Sequence, residues 1–335
     1  MVKKTKRVTL EDVAREAGVS PMTVSRVINN TGRISDETRE YIRQVVDRMG
    51  YRPSRVARSL VTNKTFLLGL IVPDITNTFF SEIVHGVEDV AWEKGYSVLL
   101  ANTSENPSRE EAVLSQLQEA IVDGVIVCSS RLPDEKLAEL ISHYPAVVAI
   151  NRTVPSHLAS LVRIDPQAQP RWARAANYLI ERGCKRIAYL CLHRSQIRGT
   201  LEEYLGLFQT AGMEVKPEWY VSSIPTWEAG YKHALELLTT YPELDGIIGG
   251  NDLLALGALR AAKELGRSVP ESLAITGADD ILLAREIDPP LTTFTMPKRE
   301  IGVTAAKLLF KRIEGGKAYE EAFYKEDLIV RQSTP

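Results

Sequence analysis

The chain has 335 residues, 44% apolar and 25% charged, the balance of ordinary packed domains, and it is long enough for two or three of them; a disordered, collagen-like or fibrous chain is excluded. The longest apolar run, residues 66–72, stops at Pro73, far short of a membrane span, and no apolar stretch of a secretory leader follows the basic residues 1–7. The net charge of −2 hides an asymmetry: residues 1–60 hold 13 Lys+Arg against 7 Asp+Glu, net +6, and the other 275 hold 28 against 36, net −8, so the head suits a polyanion and the body does not.

Three short helices open the chain. Thr9 and Asp12 form a capping-box pattern, and Leu10, Val13, Ala14 and Ala17 follow one helical face to Gly18. Ser20 caps a second helix with Pro21 at its first position. Its inward face is Val24, Val27 and Ile28, and its outward stripe is Met22, Ser25, Arg26 and Asn29. A third helix starts at Ser35 and buries Ile42, Val45, Val46 and Met49. Two helices joined by a three-residue turn containing Gly and braced by a third form a helix-turn-helix. Such a second helix fits the major groove, where arginine pairs with guanine O6 and N7.

Residues 8–29, VTLEDVAREAGVSPMTVSRVIN, resemble the DNA-binding signature of the lactose-repressor (LacI/GalR) family, and residues 50–60, GYRPSRVARSL, are similar to its hinge helix. The resemblance then runs over essentially the whole chain. It implies base-reading roles for Pro21, Met22 and Arg26, and phosphate-facing or supporting roles for Thr9, Thr23, Ser25 and Asn29. Pro21 and Met22 can offer only apolar contact, so Arg26 is expected to carry most of the hydrogen-bonded readout. A two-turn helix at 53–60 is marginal alone. In the family two such hinges pair across a dimer and wedge leucines into the minor groove. The resemblance assigns that part to Leu60, and phosphate or DNA contact to Arg55, Ala57 and Arg58. It implies a homodimer on a near-palindromic double-stranded DNA operator.

From residue 66 onward, strand-like runs at 66–72, 96–101, 125–128, 146–150, 187–192, 220–223, 246–249 and 273–276 alternate with helical stretches near 78–94, 108–121, 134–143, 167–182, 196–212, 227–240, 251–266 and 297–314. This predicts parallel sheets with helices on both faces. The fold expected is multidomain: an all-α helix-turn-helix domain (1–52), a hinge (53–64), and a two-lobed α/β, periplasmic-binding-protein-like effector and dimerisation domain (65–335). Its lobes are expected at 65–163 with 295–322 and at 164–294 with 323–335. Ligands in such sheets bind beyond the C-terminal strand ends. That places Asp74, Asn77, Phe79, Asn151, Arg152, Arg198, Trp227, Asn251 and Asp279 as candidates for a small-molecule effector, a sugar, sugar acid or related metabolite. Asp and Asn at such places also cap helices.

Two departures from the family bear on the effector. Thr200 and Glu203 stand where the family usually carries an arginine and a glycine, so that Arg198 or Arg194 substitutes or the effector lacks the group that arginine holds; Ala278 stands where an aromatic is common. Cys128, Cys184 and Cys191 form no C-x-x-C pair and read as reduced thiols. The five histidines are scattered and read as neither metal ligands nor bases. No phosphate-loop, dinucleotide, zincin or nucleophile-elbow motif is present. The reading is a transcriptional regulator acting as a repressor, with no cofactor, no membrane partner and no enzymatic activity, working in the cytoplasm at the nucleoid. Its rival keeps the DNA binding and replaces the small molecule with a protein co-regulator.

Overall fold

The computed structural model describes residues 8–28, 30–52, 62, 64–192, 201–316, 318 and 320–335. Asn29, the hinge segment with Arg55, Ala57, Arg58 and Leu60, and Arg194 and Arg198 lie outside the described residues. The chain divides into two units, one ending at Phe66 and one starting at Leu67.

The first unit holds α1 (Leu10–Ala17), α2 (Pro21–Ile28) and α3 (Asp36–Met49). The capping box is formed: the Asp12 backbone N–H donates to Thr9 Oγ1 at 3.2 Å and the Thr9 N–H donates to Asp12 Oδ2 at 3.0 Å. Gly18, at φ +65°, ends α1 in the left-handed region that a side chain would strain. The Thr23 N–H donates to Ser20 Oγ at 3.1 Å, closing the start of α2. Val13, Ala14, Ala17, Val24, Val27, Ile42, Val45 and Tyr51 form a small core. Ile28, Val46 and Met49 are only partly buried against it, because the core is just three helices thick.

The second unit alternates strands and helices: β1 (Leu67–Val72), α4 (Thr78–Glu93), β2 (Ser97–Asn102), α5 (Pro107–Glu119), β3 (Gly124–Cys128), α6 (Asp134–Ile141), β4 (Val147–Ile150), β5 (Ser160–Ile164), α7 (Arg171–Glu181), β6 (Ile187–Leu192), α8 (Leu201–Thr210), β7 (Tyr220–Ser223), α9 (Trp227–Thr240), β8 (Gly246–Gly249), α10 (Asp252–Glu264), β9 (Ala274–Thr276), α11 (Leu282–Glu286), β10 (Thr293–Thr295), α12 (Lys298–Ile313), β11 (Glu321–Tyr324) and β12 (Asp327–Ile329). A six-stranded sheet runs β11-β5-β4-β3-β1-β2 and a four-stranded one β7-β6-β8-β9. Both are parallel, with Leu70 beside Leu100 and Ile126 in the first and Leu190 beside Val221 and Gly249 in the second. β10 and β12 pair antiparallel as a separate ribbon. β3 and β4 are buried along their whole length, as expected of strands covered on both faces.

The helix expected from 167 begins at Arg171, because Pro166 and Pro170 disfavour helical backbone at the residues before them. β5, β10, β11 and β12 were not foreseen. They are three to five residues long with polar members, and they are strands because neighbours supply their partners. Two helix crossings depend on glycine. A Cβ on Gly86 of α4 would stand 2.1 Å from the Arg299 carbonyl oxygen, and one on Gly302 of α12 2.1 Å from that of Ile83; Gly230 and Gly257 serve α9 and α10 in the same way.

Candidate functional site

In each parallel sheet the strand order reverses beside its first strand, between β1 and β3 and between β6 and β8. Such switch points open a crevice at the C-terminal strand ends. A cavity of about 460 Å³ lies there, lined from both sheets. Asn77, Phe79 and Phe80 follow β1, Ser129 and Arg131 follow β3, Asn151 and Arg152 follow β4, Gly250 and Asn251 follow β8, and Ala278 and Asp279 follow β9. Trp172, Tyr189 and Phe294 add aromatic surface, and Arg163, Asp165, Arg171 and Glu326 add charge. Backbone strain is present in this lining: Glu105, Ser129, Asn151 and Asp279 all have positive φ, a conformation that costs energy for residues with a Cβ and clusters where side chains are aimed for function.

Several lining groups are held by the rim itself. Asn77 Oδ1 accepts from the Phe79 N–H at 3.0 Å and Asn251 Oδ1 from the Leu254 N–H at 3.0 Å, so both cap helices while facing the cavity. Arg152 is buried and donates to the Ser130 and Leu132 carbonyls and to Asp134 Oδ1, the last at 2.7 Å. Arg131 pairs with Glu105, and its N–H donates to Glu110 Oε2 at 2.7 Å. Arg171 reaches Asp279 Oδ1 at 3.1 Å and Glu326 Oε1 at 3.2 Å.

Burial pushes the Asp279 carboxyl up to about 7, against the pull of Arg171, and raises that of Glu326. Beneath the cavity, burial lifts Asp252 to about 6 although the Thr293 hydroxyl and Ile281 N–H donate to it. Burial also acts on Asp280, but Arg285 and Arg331 outweigh it and hold that carboxyl at about 2. Lys298 is buried, with Nζ donating to the Asp279 and Asp280 carbonyl oxygens at 2.8 and 3.0 Å.

Of the effector candidates, the structure brings Asn77, Phe79, Asn151, Arg152, Asn251 and Asp279 to this one cavity. Asp74 and Trp227 are not part of its lining. The Asp74 carboxylate instead closes a local turn, accepting from the Thr76 N–H at 2.9 Å and its hydroxyl at 2.8 Å. Trp227 stands at the outer start of α9, 39% exposed and stacked 5.9 Å from Tyr231. Arg131, Arg163, Arg171 and Glu326 were missed. Arg163 lies in β5, Arg171 opens the helix after it, and Glu326 follows β11. For Arg163, Arg171 and Glu326 those unforeseen strands gave no strand end to inspect, whereas Arg131 follows the expected strand β3 and was passed over.

On the first unit, α2 presents Pro21, Met22 and Arg26 exposed, with Thr23 and Ser25 half-buried beside them, while Val24 and Val27 face inward. Gly32, at φ +74°, leaves the Arg26 stem its room: a Cβ there would sit 3.1 Å from Arg26 Cδ. Thr9 is exposed and engaged in its cap, its hydroxyl donating to Asp12 Oδ2 at 2.8 Å. Among the described residues no helix is long and apolar enough to cross a membrane.

Comparison with known proteins places this geometry. Residues 9–54 match the family of bacterial regulatory proteins, lacI family, and residues 176–334 match a periplasmic binding protein-like domain. The ribose operon repressor of Halalkalibacterium halodurans is 36% identical over 328 residues, 97% of each chain. A solved complex of the transcriptional regulator CelR with cellobiose aligns at TM-score 0.68 and 31% identity over 98% of this chain and all of that one. The Lac repressor dimer bound to operator and the anti-inducer ONPF shares the fold at TM-score 0.83 and 24% identity, covering 98% of this chain and 99% of that one. With a helix-turn-helix head, two parallel sheets around one cavity and kinship along almost its whole length, the chain belongs to the lacI family of bacterial regulatory proteins.

Proposed function

We propose that the protein is a cytoplasmic transcriptional repressor that binds a near-palindromic operator as a homodimer and is controlled by a sugar or related small molecule in the cavity. The observation that carries the effector reading is the convergence of Asn77, Phe79, Asn151, Arg152, Asn251 and Asp279 on one cavity at the switch points of both sheets. Aromatic faces beside paired amides and charges suit a polyhydroxylated ring. The named relatives, a ribose operon repressor and a regulator solved with cellobiose, point the same way.

The DNA reading rests on the exposed Pro21, Met22 and Arg26 of α2 and on the basic head, with Thr9, Thr23 and Ser25 beside them; Asn29 is assigned a supporting role from the family resemblance alone. Arg55, Ala57, Arg58 and Leu60 are assigned to a hinge over 53–64 that engages the operator. The two lobes are assigned to 65–163 with 295–322 and to 164–294 with 323–335; β5 and β11 of the first sheet run on to Ile164 and Tyr324. Exposed leucines support self-association: Leu99 and Leu100 on the edge strand β2, and Leu282 and Leu283 on α11.

The test is fluorescence anisotropy of the full chain on a library of palindromic duplexes, repeated with neutral sugars, sugar acids and nucleobases. Salt-sensitive duplex binding whose affinity changes with one of these compounds is the expected outcome. Duplex binding that responds only to a protein fraction favours the co-regulator, and no duplex binding at all sinks the reading.

A further inference from the structure

The turn that leaves β9 carries two successive residues in left-handed backbone, Asp279 at φ +122° and Asp280 at φ +47°. Neither is glycine, and such a pair persists only where its surroundings hold it. The turn is gripped on several sides. The Asp279 N–H donates to the Phe294 carbonyl oxygen at 2.9 Å, the Asp280 N–H to Thr293 Oγ1 at 3.3 Å, and the Ile281 N–H to Asp252 Oδ2 at 2.8 Å. Arg285 and Arg331 hold the Asp280 carboxylate. With Asp280 turned to these arginines, Asp279 is the member of the pair that lines the cavity.

The two carbonyl oxygens of the pair converge on one group. Lys298 Nζ donates to that of Asp279 at 2.8 Å and to that of Asp280 at 3.0 Å. Its side chain is 4% exposed and is not part of the cavity lining. Lys298 comes from elsewhere in the fold: it opens α12, which packs on α4 through the contacts at Gly86 and Gly302. Glu82 Oε1 of α4 lies 3.8 Å from Nζ, one turn beyond Phe79 and Phe80 of the cavity wall. Burying an ammonium costs its hydration, and here two carbonyl dipoles and a carboxylate offset that cost. The lysine charge also reaches Asp279 and Asp252 through space. A hydrogen-bonded grip on the backbone and a charge felt by a carboxylate are separate effects, and experiment can part them.

We propose that Lys298 is a positioning residue of the effector cavity: without touching the effector, its ammonium locks the Asp279–Asp280 turn in the left-handed backbone that points the Asp279 carboxyl into the cavity. This rests on the effector reading given above. The turn is set before the effector arrives, so binding does not have to order it.

Hydrogen exchange read by mass spectrometry, with calorimetry against D-ribose and cellobiose, tests this on the full chain. In the free wild-type protein a peptide over 277–283 should exchange as slowly as the neighbouring strands β8 and β9. Lys298→Met keeps the stem and removes the donors. It should speed exchange in that turn, and weaken the accepted sugar, by at least about tenfold each, with β6 and β8 unchanged. Asp279→Ala should weaken the sugar too, and adding Lys298→Met to it should weaken binding little further, because both act through one carboxyl. Additive losses overturn the proposal, and so does weaker sugar binding with unmoved exchange, which leaves only the charge. Faster exchange throughout α4 and α12 marks a merely structural lysine and overturns it as well. Should Lys298→Met fail to fold, the wild-type protein decides alone: a turn protected before sugar is added supports the proposal, and one protected only afterwards overturns it. If neither sugar binds while the operator does, the sugar-effector reading falls and takes this inference with it; sugar binding that Lys298→Met leaves unchanged removes this inference alone.

Discussion

Arg26 is the one long charged donor on the exposed face of α2, its neighbours Pro21 and Met22 having only apolar surface to offer. Arg26→Ala is therefore expected to cost about 1–3 kcal/mol of operator binding and to relax base preference at one position of the half-site, read by titrating single-base operator variants. Unchanged selectivity would argue that the base readout lies elsewhere. In the cavity, the same single residue serves two ends. Asn77 and Asn251 cap α4 and α10 through their side-chain oxygens and border the cavity as well. Capping and ligand contact were alternatives when only the sequence was read, and the geometry makes them compatible. The Asp74 carboxylate closes a local turn with Thr76 and lies outside the cavity lining.

At the scale of elements, the crossing of α4 over α12 is set by backbone contact at Gly86 and Gly302. Gly86→Ala has nowhere to put its methyl except against a carbonyl oxygen, and is expected to destabilise the fold by about 1–3 kcal/mol or more, read as a lower urea midpoint. Gly206 in α8 meets nothing within 4 Å, so Gly206→Ala is expected to be neutral or to stabilise by up to about 1 kcal/mol. The reverse order would show that backbone packing does not fix that crossing. Hydrophobic runs were enough to locate eight strands of the body, because the central parallel strands are buried and apolar on both faces and the edge strand β2 carries an apolar run as well. They missed Glu321–Tyr324 and Asp327–Ile329, whose strand character comes from partners some 160 and 35 residues away in sequence.

At the scale of the molecule, the buried carboxyls couple folding to pH. Unfolded aspartates titrate near 3.9. Asp279 at about 7 and Asp252 at about 6 bind more protons folded than unfolded, so their contribution is whole below about pH 4 and is lost as pH rises through 6 to 7. Asp280 at about 2 has the opposite sign: its contribution is present above about pH 4 and lost as pH falls toward 2. Urea unfolding should therefore show stability falling between about pH 4 and 7, by up to about 1.4 kcal/mol per pH unit for each such group. Asp279→Asn should flatten that slope; a slope unchanged in the variant would remove Asp279 as its source. Assembly belongs to this scale too. Leu282→Glu with Leu283→Glu is expected to shift the protein to monomer in sedimentation and to weaken a palindromic operator by on the order of 10²-fold, since two half-sites are then no longer read together.

The sequence by itself determined what is local. Capping boxes, the Gly-containing turn, the outward stripe of α2 and the alternation of apolar runs with helices depend on residues within a few turns of one another. The tertiary structure alone decided which strand ends meet. It gathered six of the effector candidates into one cavity, turned Asp74 and Trp227 to other uses, and brought Arg171, Asp279 and Glu326 within ion-pair distance across 155 positions of chain. No short-range pattern encodes that meeting, because it is fixed by sheet order and by crossovers whose strands are strands only in the company of their partners.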